Sequence, residues 1–233
     1  MGAIRANLQA VSARIERAAR AAGRDPGAVR LLAVAKTHPA ALVDEAYQAG
    51  QLAFGENYVQ EALGKMDALA CLPLEWHLIG PLQSNKARSA AERFAWVHSI
   101  DSERIARRLS AQRPVALPPL NVLVQVNVSG EPTKSGVTPQ QLPELAHAVA
   151  ALPRLRLRGL MAIPEPARDV ALQRARFRVA RELLERLAAE GLALDTLSIG
   201  MSEDLEAAIA EGSTLVRVGS AIFGARQSAR DAA

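Results

Sequence analysis

The chain has 233 residues, 49% of them apolar and 22% charged, with a net charge of +4 and a single cysteine, Cys71. That length supports one large domain or two small ones with a full core, and the lone cysteine excludes an intrachain disulfide while remaining compatible with a reducing cytosol. No apolar run approaches the roughly 18 residues of a membrane span, and the N-terminus lacks the apolar stretch of a secretory signal.

The chain opens with MGAIRANLQAVSARIERAARAAG. The segment is arginine-rich and poor in acids, as a mitochondrial presequence is. Ile4, Leu8, Val11 and Ile15 fall on one helical face, however, and predict an ordinary amphipathic helix. Gly2 opens no myristoylation motif, because Ala6 stands where Ser or Thr is needed. Eight short apolar runs follow: RLLAVAK (30–36), QLAFG (51–55), EWHLIG (75–80), WVHSI (96–100), NVLVQVNV (121–128), LRLRGLMAI (155–163), DTLSIG (195–200) and TLVRVG (214–219). Helical patterns separate them at 40–49, 57–69, 83–93, 102–110, 139–150, 169–190 and 203–210. The prolines of QRPVALPPL (112–120) predict a loop before the fifth run, and PEPARD (164–169) a loop after the sixth. Eight strands alternating with helices predict a single α/β domain over residues 1–233, a (β/α)₈ barrel with an extra N-terminal helix covering the face left by a short last helix. An open doubly wound sheet is the alternative, but no GxGxxG follows the first strand.

The basic balance does not point to nucleic acid. In RARFRVARELLERLAAE the pairs Arg178/Glu182, Arg181/Glu185 and Glu182/Arg186 stand four apart, as on a solvated helix face. Aromatic residues make up only 3% of the chain, which leaves few platforms for stacking bases.

Chemistry in such a barrel gathers at the C-terminal ends of the strands. The first strand ends in Lys36, in a chain whose 28 basic residues include only four lysines, Lys36, Lys65, Lys86 and Lys134. Arginine stays protonated; lysine can lose its proton and condense with an aldehyde. An ion pair at the barrel mouth is the competing reading of Lys36. The second strand ends in Glu56 and Asn57, and the third in GPLQSNK after His77. His77 reads as a packed or hydrogen-bonded structural residue. In VRVGSAIFG, Gly219 and Ser220 open the last helix, where backbone N–H groups and a hydroxyl suit a phosphate. Ser202 faces the same point from the neighbouring loop and also reads as an N-cap before Glu203 and Asp204. Arg217 alternates with Val216 and Val218, so it points opposite to them and needs a carboxylate or a ligand nitrogen as partner. His38, His77, His98 and His147 show no HxxxH spacing, and no metal site, GxSxG elbow or GxxxxGK[ST] loop occurs.

The motifs AVAKT, FGENYVQEA, WHLIGPLQSNK, VQVNVSGEPTKSG, LRGLMAIP, LSIGMSEDLEAAI and VRVGSAIFGAR occur in this order along nearly the whole chain. In this combination the sequence resembles the pyridoxal phosphate homeostasis proteins, single-domain relatives of the alanine racemase barrel. The resemblance implies that Lys36 holds pyridoxal 5′-phosphate as an internal aldimine. It implies that Ser202, Gly219 and Ser220 bind the phosphate, that Asn57 lies beside the cofactor, that Met201 lines the pocket, and that Arg217 faces the pyridine nitrogen. The implied role is to buffer or deliver the cofactor and related B6 vitamers in the cytoplasm, with pyridoxal-dependent apoenzymes as recipients and no robust catalysis. The expected protein is a monomer, touching neither membrane nor nucleic acid. An amino-acid racemase is the alternative, and a barrel enzyme acting on a phosphorylated metabolite a weaker one. Racemases of this barrel type carry a second, mostly β domain and a tyrosine from a dimer partner. This chain ends about where the barrel closes, and its two tyrosines, Tyr47 and Tyr58, fall in or near the first helices.

Overall fold

The computed structural model describes residues 2–130 and 135–224; Lys134, with the rest of the EPTK stretch of the fourth motif, and the tail from Ala225, including Arg226, lie outside the described residues. The strands are β1 (Arg30–Val34), β2 (Ala53–Glu56), β3 (Glu75–Leu78), β4 (Trp96–Ile100), β5 (Leu120–Gln125), β6 (Leu155–Met161), β7 (Thr196–Ser198) and β8 (Leu215–Val218). They pair in sequence order, all parallel, and β1 returns to pair with β8, so the sheet closes into a barrel and the open doubly wound alternative falls. The α-helices are α1 (Ala3–Ala21), α2 (Ala40–Gln48), α3 (Val59–Ala68), α4 (Ala87–Arg93), α5 (Glu103–Gln112), α6 (Leu142–Ala150), α7 (Val170–Ala189), α8 (Leu205–Ala210) and α9 (Ser220–Phe223). Among the described residues, no helix is long and apolar enough to cross a membrane.

Several strands stop short of the expected ends. β1 stops at Val34 rather than at 36, β5 at Gln125 rather than at 128, β6 at Met161 rather than at 163, and β7 at Ser198 rather than at 200. The cause is visible in burial. Ala35, Val126, Ala162 and Ile199 are all buried although they lie beyond the last residue of their strands. Apolar composition therefore continues past the point at which the chain bends over the barrel mouth. Helix starts differ too. The stretch expected to be helical from 83 begins with a 3₁₀ turn at Ser84–Lys86, and α6 starts at Leu142 with Pro143 in its first turn, where a missing N–H costs nothing.

Helix α1 buries Ile4, Leu8, Val11 and Ile15, as the periodicity predicts, and Ala19 with them. It packs against α2, α8 and α9. Because α9 is only four residues long, α1 covers the flank that a full last helix would occupy. It also ties down the mouth loops: Asn7 Nδ2 donates to the Ile222 carbonyl at 2.8 Å, and Arg14 Nη2 to the Ser202 carbonyl at 3.0 Å. On α7, the spacing predicts intrahelical pairs, and Arg181–Glu185 forms at 3.4 Å. Arg178 instead reaches Glu211 at 3.2 Å, where Arg174 and Arg181 also converge. Glu211 is 1% exposed, so its carboxylate binds these cations more firmly than the solvated Glu182 would.

The principal core lies between the strands and the surrounding helices. The barrel interior is filled differently. One small apolar cluster there contains Leu32, Ala53 and Leu215, and another contains Trp96, Leu123 and Met161. The buried polar residues His77, His98, Ser198 and Arg217 share the inward-facing register of these strands.

Leu8→Ala should lower unfolding free energy by about 2–5 kcal/mol, because a buried leucine is exchanged for a cavity under α1. Urea denaturation checks this, and a loss below about 1 kcal/mol would mean that α1 is not an integral wall of the barrel.

Candidate functional site

A cavity of about 730 Å³ opens at the C-terminal mouth of the barrel, and its lining includes Lys36, Asn57, Met201, Ser202, Arg217, Gly219 and Ser220. The structure thus brings together all seven residues singled out from the sequence. They come from the ends of four strands and the turns that follow them.

Lys36 follows β1 in a turn under tension. Thr37 sits at φ 65, a left-handed conformation uncommon for a β-branched residue. The surroundings hold it there. The Thr37 N–H donates to Glu61 Oε1 at 2.6 Å, while Lys65 Nζ donates to the Ala35 carbonyl, Glu56 Oε1 and Glu61 Oε1, each at 2.7 Å. Helix α3 therefore grips the residues on both sides of Lys36. Lys65 is buried, and all three of its ammonium protons have acceptors. Burial pushes the Glu56 carboxyl up to about 7 against the lowering effect of its hydrogen bond from Lys65; the charge of Lys36 also reaches it. Glu56 Oε2 is buried and has no hydrogen-bond partner among the described residues.

Asn57 leaves β2 against the end of β3. A Cβ on Gly80 would lie 2.2 Å from the Asn57 carbonyl oxygen, so only glycine permits this approach. On the opposite side, Gly200 takes φ 93 and a Cβ there would lie 2.5 Å from that of Ala208, which lets the Met201–Ser202 turn fold over the mouth. The Met201 N–H donates to Asp204 Oδ1 at 2.6 Å. Burial raises the Asp204 carboxyl, while this hydrogen bond and Arg217 oppose the rise. The expected N-cap role of Ser202 is not what forms: α8 begins at Leu205 with Asp204 at the cap position. The Ser202 hydroxyl is thereby left to face the other loop, where Ser220 Oγ donates to Ser202 Oγ at 3.2 Å. Gly219 sits at the N-cap of α9 as expected. The first N–H groups of a helix lack intrahelical partners, so two hydroxyls and these amides converge on one side of the cavity.

Arg217 turns inward and is buried. Among the described residues, its hydrogen bonds go to the Ser198 carbonyl (2.6 Å), Ser198 Oγ (2.7 Å) and the Ala162 carbonyl (3.0 Å), not to a carboxylate. Burial lowers its guanidinium to about 10, with Asp204 opposing through space, so it stays protonated at neutral pH.

Sequence reasoning did not assign His38, Gln125 or Asp204 to the cavity, although they line it. Each stands at a strand tip or in the turn after one, so position was the available signal. The roles of Glu56, Glu61 and Lys65 had only a weak trace, a rare lysine four residues after an acid on a helix. His77 is fully buried and hydrogen-bonded, and it stacks on Trp96 with centroids 5.3 Å apart, as a structural histidine does. Among the described residues, no group of three metal-ligating side chains assembles.

A closed parallel barrel gathers an amine, a hydroxyl pair and a buried guanidinium around one mouth, a donor set that can condense with an aldehyde and hold an anion. Residues 6–227 match the alanine racemase N-terminal domain. The pyridoxal phosphate homeostasis protein of Pseudomonas aeruginosa is 64% identical over 226 residues, covering 97% of each chain. Its Escherichia coli K12 counterpart is 56% identical over 234 residues, covering 97% of this chain and 98% of that one. Among solved structures, PipY of Synechococcus elongatus with PLP bound superposes with a TM-score of 0.80 at 43% identity, covering 90% of this chain and 99% of that one. The chain belongs to the pyridoxal phosphate homeostasis proteins, within the alanine racemase N-terminal domain family.

Between pH 4.5 and about 7 the native Glu56 carboxyl keeps a proton that the unfolded chain has released. The unfolded state then binds fewer protons, so this group makes stability fall as pH rises through that window. Glu56→Gln should flatten that part of the profile. Urea midpoints at pH 5, 6 and 7.5 check it, and an unchanged slope in the variant would contradict the assignment.

Proposed function

We propose that this protein binds pyridoxal 5′-phosphate at Lys36 and buffers or delivers it, without robust turnover of its own. The observation that carries the reading is the convergence of Lys36, the Ser202–Ser220 hydroxyl pair and Arg217 on one cavity. The donor set fits the cofactor group by group. When bound, pyridoxal phosphate supplies an aldehyde that condenses with a lysine amine. Lys36 Nζ provides the amine, and Ser202, Ser220 and the start of α9 at Gly219 hold the phosphate. Asn57 and Met201 flank the ring. Arg217 donates to the pyridine nitrogen and keeps it unprotonated, which weakens the ring as an electron sink; pyridoxal enzymes usually place an acid there.

A racemase needs proton carriers on both faces of the substrate carbon. Lys36 serves one face. Tyr58 is 63% exposed, and neither it nor Tyr47 lines the cavity, so the opposite face has no tyrosine among the described residues. This supports storage and delivery over racemisation. The related B6 vitamers share the ring and aldehyde, and pyridoxal-dependent apoenzymes are the natural recipients. All seven site residues lie within one barrel, so the proposed site needs no residue from a second subunit; we take the protein to be a cytoplasmic monomer with a single barrel domain. Arg174, Arg178 and Arg181 are engaged with Glu211 rather than arrayed for nucleic acid.

The purified protein should be yellow, and borohydride should fix the chromophore on Lys36. Peptide mapping that finds the adduct only on Lys65, Lys86 or Lys134 would contradict the site. Ser202→Ala combined with Ser220→Ala should weaken pyridoxal phosphate more than pyridoxal. Each lost charge-assisted hydrogen bond costs about 1.5–3 kcal/mol, and equal losses for the two ligands would remove the phosphate assignment. With L-alanine in D₂O and stoichiometric protein, NMR and chiral chromatography should detect negligible Cα exchange and no D-alanine. Rapid exchange abolished by Lys36→Ala would establish the racemase instead.

A further inference from the structure

The barrel interior beneath the cavity contains buried histidines that the proposed binding does not use. Their contacts are continuous. Arg217 Nη1 lies 2.7 Å from Ser198 Oγ, which lies 3.1 Å from His98 Nδ1. His98 Nε2 lies 2.9 Å from His77 Nδ1, and His77 Nε2 lies 2.8 Å from Glu75 Oε1. Glu75 opens β3 at the far rim of the barrel, where Arg30 Nη2 also donates to it at 2.7 Å. His77 and His98 are both fully buried.

The two ends fix the direction of the whole row. Guanidinium can only donate, and an ionised carboxylate can only accept. Glu75 is held ionised, pushed down to about 2 chiefly by its hydrogen bond from His77. His77 Nε2 must therefore carry a hydrogen. Burial pushes both histidines below their ordinary range, so each is neutral and its second nitrogen accepts. His77 Nδ1 then accepts from His98 Nε2–H, and His98 Nδ1 accepts from the Ser198 hydroxyl. Ser198 Oγ in turn accepts from Arg217. Every donor points the same way, from the cation at the mouth to the anion at the opposite rim, and aligned hydrogen bonds polarise one another.

We infer that Ser198, His98, His77 and Glu75 are positioning residues for Arg217, a one-directional hydrogen-bonded relay that fixes its guanidinium beneath the cavity and gives it Glu75 as a remote counter-charge. Three of the five guanidinium N–H bonds are committed to Ser198 and Ala162, which leaves two for whatever occupies the mouth. A guanidinium held so cannot swing to meet a ligand, so a ring nitrogen must come to it. The relay's link to pyridoxal phosphate rests on the binding reading above; its internal direction does not.

The test is long-range ¹H–¹⁵N NMR of histidine-labelled protein at pH 7, first without cofactor. His77 and His98, assigned through His77→Gln and His98→Gln, should each show the neutral Nε2–H pattern. An Nδ1–H tautomer or a doubly protonated ring at either position overturns the relay. Glu75→Ala, distant from the cavity, should convert both rings to tautomer mixtures, an effect that lost packing alone would not produce; an unchanged His98 spectrum contradicts the proposal. Pyridoxal phosphate should then shift His98 Nδ1 in the parent protein. Ser198→Ala should abolish that response and weaken binding about tenfold, the equivalent of one hydrogen bond. A response that persists in Ser198→Ala overturns the relay, as does no response in parent protein whose Lys36 is trapped by borohydride. Absence of trapping at Lys36 would instead mark failure of the binding reading, because the tautomer measurement needs no cofactor.

Discussion

A positive charge inside a barrel must be surrounded by oxygen atoms, and at Arg217 this requirement organises the structure. Its acceptors come from the end of β7 and from the residue just past β6, so one side chain on β8 ties three strand ends together. An unpaired guanidinium would be expelled or would distort the barrel. Here two carbonyls and a hydroxyl satisfy it, and the two apolar clusters of the interior lie around the polar row below it. The cost of burying the charge is met by geometry that also leaves the guanidinium facing the cavity.

The other side of the mouth solves a related problem. A lysine proposed to react with an aldehyde must sit at a fixed place. Helix α3 anchors the chain beside it: Lys65 and Glu61 hold the Ala35 carbonyl and the Thr37 amide, and Thr37 accepts a left-handed conformation in return. The backbone on both sides of Lys36 is thus held in place at the edge of the cavity. Helix α1 does the corresponding work for the side proposed to hold the phosphate, holding the Ser202 loop through Arg14 and α9 through Asn7.

The barrel was legible because alternating strand and helix periods are local properties, and all eight runs become strands. Strand ends were not, since Ala35, Val126, Ala162 and Ile199 stay buried after the ladder stops. Lys36, Ser202, Arg217, Gly219 and Ser220 could be picked out because strand tips and turns concentrate polar and glycine residues that a core does not need, whereas Met201 and the role of Asn57 came only from the family resemblance. The inward side of Arg217 was undecided until closure of the sheet gave each strand an inside. The relay was invisible in sequence for a plainer reason. His77 and His98 are 21 positions apart, and His98 and Ser198 are 100 apart, so only the closed barrel makes them neighbours. Ser202 misled in a smaller way: a serine before two acids reads as a cap, but Asp204 takes that position and frees the hydroxyl.

The central claim is that a protonated Arg217 donates to the ring nitrogen of pyridoxal phosphate and leaves that nitrogen without a proton. The most direct measurement is the ¹⁵N chemical shift of cofactor labelled at the ring nitrogen and bound to the protein, followed from pH 6 to 9. The account predicts an unprotonated pyridine signal throughout that range, moving toward the protonated position in Arg217→Glu. A protonated ring nitrogen in the parent protein at pH 7 would contradict it.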